Sequence, residues 1–99
     1  MAILFEVESK LGKRISVTKE YWDFIVSKHE SVKFLKDETK RTLKNPLIVR
    51  LSKEDPNVYL YYSEYKDYYL CVVCKHLDGE GFLITAYLTD RVKKGVTVL

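Results

Sequence analysis

The sequence predicts an α+β domain covering residues 1–99, with an N-terminal hairpin and two helices packed on one face of an antiparallel meander sheet. Three observations carry this expectation. The chain opens with two short alternating runs joined by a turn, two helical patterns follow, and the remainder is a series of β-rich runs separated by turn residues. No helical pattern separates those later runs, which disfavours a parallel α/β arrangement.

The elements follow in order. Ile3 to Glu8 reads as a strand, Lys10-Leu11-Gly12-Lys13 as a turn and Arg14 to Val17 as the returning strand of a hairpin. Thr18 is a good helix N-cap, and Glu20 sits early enough to favour the positive end of the helix dipole. The helix runs to about Lys28, with Trp22, Ile25, Val26 and His29 at helical spacing on one side. A second helix is expected from near Ser31, with Val32, Leu35 and Leu43 inward and the basic residues mostly outward. Asn45-Pro46 ends it, because the residue before proline is pushed out of the helical region. Leu47–Ser52, Val58–Ser63, Tyr68–His76 and Phe82–Leu88 read as strands, and Val96–Leu99 as a short edge strand.

Composition narrows the function classes. The chain has 99 residues, 46% hydrophobic and 31% charged, an ordinary balance for a single folded core. The opening residues Met1–Lys10 lack the apolar run of a signal peptide, and no stretch is long enough to span a bilayer. A cytoplasmic protein with no membrane association is expected. The net charge of +3 is unevenly placed. Residues 1–30 balance five basic against five acidic side chains, whereas residues 31–53 carry seven basic against Asp37 and Glu38. Such a local excess suits a polyanion, although a solvated helix face has the same composition.

Few residues carry obvious chemistry. Cys71 and Cys74 form a C-x-x-C within a β-branched strand, where an i, i+3 pair points to opposite faces. They read as buried apolar residues rather than as a metal or redox site, and neither a metal nor a cofactor is expected. His29 closes the first helix, where it suits the negative end of the dipole. His76 reads as a solvated strand-end residue. In Phe82–Leu88, strict alternation puts Phe82, Ile84, Ala86 and Leu88 on an apolar face and Leu83, Thr85 and Tyr87 on the other. A hydroxyl and a phenol side by side on an open sheet face can hold RNA, with rings stacking on bases and hydroxyls bonding phosphate. They also suit any wet strand face.

The run from Ile15 through Gly95 resembles a small phage- and prokaryote-associated family within the barnase–EndoU–colicin–RelE ribonuclease superfamily. The residues that carry the resemblance are Thr18, Trp22 and His29, then Asn45-Pro46, Arg50 and Ser52. Leu60-Tyr61-Tyr62, Val72-Val73, Gly81-Phe82 and Thr85-Ala86-Tyr87 complete it. His29 is followed here by Glu30-Ser31, where the family has Pro-Glu. The resemblance implies a RelE/barnase-like fold and a metal-independent endoribonuclease, a toxin-like module with RNA as substrate and an antitoxin or immunity-type protein as partner. In such chemistry the 2′-hydroxyl of the substrate attacks its own phosphate. His29 would supply acid–base catalysis, as imidazole ordinarily changes charge near neutral pH. Arg50 would stabilise charge on the phosphate, Thr85 would hydrogen-bond it, and Tyr87 would do likewise or stack on a base. Lys75, Tyr61 and Lys44 are candidate substrate contacts, and His76 or Tyr61 candidates for a second acid–base group. The alternative is a non-catalytic RNA- or protein-binding module on the same fold.

Overall fold

A computed structural model describes residues 2–99. It is α+β, with a seven-stranded, mostly antiparallel sheet in the order β1-β2-β6-β5-β4-β3-β7. In chain order these are β1 (Ile3–Glu8), β2 (Arg14–Thr18), α1 (Lys19–Lys28), α2 (Lys36–Lys44), β3 (Ile48–Leu51), β4 (Val58–Tyr65), β5 (Tyr68–His76), β6 (Glu80–Thr89) and β7 (Val96–Thr97). Among the described residues no helix is long and apolar enough to cross a membrane.

The sheet departs from a pure meander at one place. β2 runs parallel to β6 and pairs with only Glu80–Phe82 of it. The N-terminal hairpin thus extends the meander from its β6 edge. Beyond Phe82 that edge of β6 is free of β2, and α1 packs there. The Tyr21 hydroxyl donates to the Ile84 carbonyl at 2.9 Å.

Helix α1 forms as its sequence dictates. Thr18 Oγ1 accepts from the Tyr21 N–H at 3.1 Å, Glu20 lies in the first turn, and Lys28 lies in the last. His29 closes it, its N–H donating to the Ile25 carbonyl. The second helix begins at Lys36 rather than near Ser31. Glu30–Val32 form a single 3-10 turn instead, which brings Val32 and Leu35, three apart, into the core. Asp37 and Glu38 occupy the first turn of α2, so the acidic pair marks the helix start better than Ser31 does. Thr39 and Thr42 are buried on α2, and their hydroxyls donate to the carbonyls of Leu35 and Glu38, one turn back.

The helices cover one face of the sheet. Trp22, Ile25, Val32, Leu35 and Leu43 pack there against Phe5, Ile15, Val49, Tyr61, Val72 and Ala86. The other face bears a smaller cluster of Leu60, Tyr62 and Cys71, against which Ile48, Val73, Tyr87 and Val92 pack.

Strand β6 does not alternate throughout. Val73 pairs with Thr85 but Cys74 pairs with Leu83, so Ile84 is an extra residue in a β-bulge. Before the bulge Gly81 and Leu83 face the helices, and after it Ala86 and Leu88 do. The expected apolar face is therefore wrong in its first half. Leu83 is fully buried, Phe82 is 45% exposed, and Ile84 is half-buried. Thr85 and Tyr87 stay on the open face, and Phe82 joins them. The bulge makes a direct prediction for stability. Leu83→Ala should lower unfolding free energy in urea by roughly 2–5 kcal/mol, and Phe82→Ala by less than about 1 kcal/mol.

Candidate functional site

The open face holds a cleft of about 300 Å³. Leu60 of β4 and Val73 of β5 contribute apolar lining; Arg50 comes from β3, and Thr85 and Tyr87 from β6. The three meet because β3, β4, β5 and β6 are successive neighbours and the relevant residues all project to the side away from the helices.

The stretch between β6 and β7 forms another wall. It runs as a strap over the open face, with Val92 packed against the Leu60–Tyr62–Cys71 cluster. The Lys93 N–H donates to the Tyr62 hydroxyl at 3.1 Å, and Arg50 Nη1 donates to the Lys93 carbonyl at 3.0 Å. The strap then closes tightly on β3. A Cβ at Gly95 would stand 2.8 Å from the Leu51 carbonyl, so only glycine fits without displacement. Pinned this way, the strap delivers Lys93 and Lys94 to the cleft, where they join Arg50 and Lys53. Among the described residues Glu54 is the only carboxylate side chain lining it, and it accepts from the Ser52 hydroxyl. Four cations facing one carboxylate make the cleft strongly electropositive.

Arg50 is held rather than free. Its Nε is buried and meets no acceptor among the described residues, an uncommon state for a charged donor. Below it lies a phenol–thiol cluster of Tyr62, Tyr87 and Cys71. Burial pushes the Tyr62 phenol up to about 12, with the Lys93 N–H and the Arg50 charge acting in the opposite sense. Burial also raises Tyr87 well above the ordinary phenol range, reinforced by the Cys71 thiol. Cys71 is itself raised by burial. At neutral pH these groups are therefore uncharged, and the Tyr87 phenol is a hydrogen-bond donor. His29 lies beside it, the two rings 5.5 Å apart between centroids and tilted by 36°.

Arg50, Thr85 and Tyr87 thus share one cleft, and His29 lies against Tyr87 without lining it. Lys75 is on the same face, opposite Val58 and Phe82, but its ammonium is engaged by Asp55 at 2.7 Å. The hydrogen bond from Lys75 holds the Asp55 carboxyl below its usual range. Lys44 is exposed at the end of α2, outside the cleft. Tyr61 is fully buried on the helix-covered face, so the sheet separates it from Thr85. Lys53, Lys93 and Lys94 went unrecognised in the sequence, where only the charge of Lys53 counted towards the basic segment.

His76 is corrected most sharply. It is 7% exposed rather than solvated, stacked on Tyr59 at 3.9 Å, and its Nε2 lies 2.9 Å from the Tyr61 hydroxyl. The Tyr61 hydroxyl also reaches Ser9 Oγ at 2.9 Å, so a Ser9–Tyr61–His76 chain fills the interior at this end of the sheet. Burial pushes His76 down to about 4, and Lys13 adds to this. Cys71 and Cys74 are both buried, free thiols on opposite faces of β5. Among the described residues no three His, Cys, Asp or Glu side chains converge as metal ligands.

Comparison with known proteins finds no match, whether among family models, curated proteins or solved structures. The geometry of the cleft is what bears on function.

The buried imidazole has a consequence for acid stability. Its folded-state value lies below the ordinary histidine value of 6.5, so the unfolded chain binds the proton more readily. Stability from this group is complete above pH ~6.5 and falls as pH drops towards 4. The loss should reach at most about 3 kcal/mol. Urea unfolding at pH 7 and pH 4 checks this: the wild type should lose more stability between the two than His76→Phe, which cannot take up the proton.

Proposed function

We propose that the chain is a metal-independent endoribonuclease that binds an RNA phosphodiester in the open-face cleft. The single observation that carries this reading is the convergence of Arg50 from β3 with Thr85 and Tyr87 from β6, two strands far apart in sequence, in a cleft ringed by Lys53, Lys93 and Lys94. The resemblance to the barnase–EndoU–colicin–RelE superfamily, and with it a RelE/barnase-like fold and a toxin-like role controlled by a partner protein, belongs to the same proposal.

The chemistry follows from the groups present. The substrate's 2′-oxygen forms a bond to phosphorus as the bond from phosphorus to the 5′-oxygen breaks. The 2′-hydroxyl proton leaves to a base, and the departing 5′-oxygen receives one. The products are a 2′,3′-cyclic phosphate and a 5′-hydroxyl. Arg50 lines the cleft, where a planar, always charged fork can meet the phosphate oxygens. Thr85 donates its hydroxyl to a non-bridging oxygen. Tyr87, held neutral by its surroundings, donates a hydrogen bond to the developing charge. His29, one ring away, serves as the acid–base group.

An RNA-cleavage assay in EDTA tests the roles. Arg50→Ala should slow cleavage by roughly 10²–10³-fold and His29→Ala by at least ~10²-fold, with 2′,3′-cyclic phosphate ends from the wild type. Undiminished cleavage by both variants overturns the assignment. Folded wild type that binds RNA in a salt-sensitive manner without turnover leaves a non-catalytic RNA-binding module in place of the enzyme.

A further inference from the structure

The bulge at Ile84 has a second effect besides fixing the core. It turns Phe82 out onto the open face, on the same strand and the same side as Thr85. Beside Phe82 lies a separate slot of about 270 Å³, lined by Ser16, Val17, Thr18, Tyr21, Phe82 and Leu83. No lining residue is charged, in contrast to the four cations of the cleft. Phe82 and Tyr21 remain 45% and 37% exposed, so two large rings face solvent across the slot's walls. Tyr21 is not free to move away, because its hydroxyl is tied to the carbonyl of the bulged residue Ile84. The aromatic wall is therefore preorganised, which lowers the entropic penalty of binding a flat ligand.

We propose that this slot receives an unpaired nucleobase of the RNA strand whose phosphate occupies the Arg50–Thr85 cleft, an inference that rests on the cleft being an RNA site. Its volume lies just below the ~300–1,000 Å³ typical of ligand pockets, enough for a ring system but not for a length of peptide. An apolar slot alone would not choose its occupant. Proximity to the cleft does: Phe82 and Thr85 are at most about 10 Å apart along β6, a distance covered by neighbouring nucleotides of an extended strand. Bases stack on aromatic side chains whatever their identity, and Ser16 in the lining carries a hydroxyl that can bond a base edge. A duplex keeps its bases stacked on one another and cannot fill the slot. The enzyme should therefore select single-stranded RNA, anchored by charge at one point and by stacking at the next.

The test is equilibrium binding of three probes of equal length to wild type, Phe82→Ala and Arg50→Ala. The probes are a 2′-O-methyl single strand, the same strand annealed to its 2′-O-methyl complement, and a base-free 2′-O-methylribose-phosphate oligonucleotide; none offers a free 2′-hydroxyl for cleavage. Wild type should bind the single strand more tightly than the other two. Phe82→Ala should weaken single-strand binding by roughly 5- to 100-fold and leave the base-free probe unaffected, whereas Arg50→Ala should weaken all three. Phe82→Tyr, which keeps a stacking ring, should retain single-strand affinity. If Arg50→Ala weakens binding but Phe82→Ala does not, the base slot is overturned while the cleft stands, and the aromatic pair is left for a protein side chain. If wild type and Arg50→Ala bind every probe alike, or neither binds, the cleft reading fails and the base slot fails with it.

Discussion

One extra residue in one strand decides how this molecule is divided between core and surface. With Ile84 bulged out of register, Leu83 seals the helix-covered side while Phe82, Thr85 and Tyr87 all emerge on the other. A regular strand could not achieve this, because a period of two would bury either Phe82 or Leu83 together with the wrong partners. The bulge itself is braced. Its free carbonyl accepts the hydroxyl of Tyr21, so the helix that closes the edge of β6 also stabilises the irregularity in it. α1 in turn ends at His29, which lies against Tyr87 two residues beyond Thr85. Core, edge and open face are linked through this short stretch of β6.

The open face acquires its charge from a second constraint, the strap between β6 and β7. Its hold depends on two hydrogen bonds at Lys93, on Val92 packing against the sheet, and on the close approach of Gly95 to β3. The same contacts bind the Arg50 side chain to the strap and shape the cleft around it. Neutral phenols beneath the guanidinium add no competing negative charge. The result is a cleft whose cations have almost no internal counter-charge, a state that favours an external anion.

Much of this was legible in the sequence, and the rest was not for identifiable reasons. The hairpin, the Thr18 cap, the end of α1 and the order of the strands follow from local patterns that the structure reproduces, whereas β4 and β6 run beyond their expected ends. The start of α2 was displaced because Val32 and Leu35 also suit a 3-10 turn. The bulge at Ile84 has no local signature, being a β-branched residue with no glycine or proline beside it, so alternation misplaces Phe82 and Leu83. In β4 both faces are apolar or aromatic, which left the side of Tyr61 undetermined. The burial of His76 leaves no trace in its own strand, because it depends on Tyr59 and Tyr61 arriving from a neighbouring strand. Lys93 and Lys94 lie in a segment with no periodicity, and only the tertiary path of the strap brings them to Arg50. Arg50, Thr85 and Tyr87, found through resemblance and strand pattern, share a cleft; Lys44 lies outside it.

The central claim is that a phosphodiester of RNA is bound between Arg50 and Thr85 on the open face. A crystal structure with a 2′-O-methyl oligonucleotide tests it most directly. A phosphate should lie within hydrogen-bond distance of the Arg50 guanidinium and the Thr85 hydroxyl, with Lys93 or Lys94 on the same backbone. An oligonucleotide bound elsewhere, with the cleft free of phosphate, would contradict it.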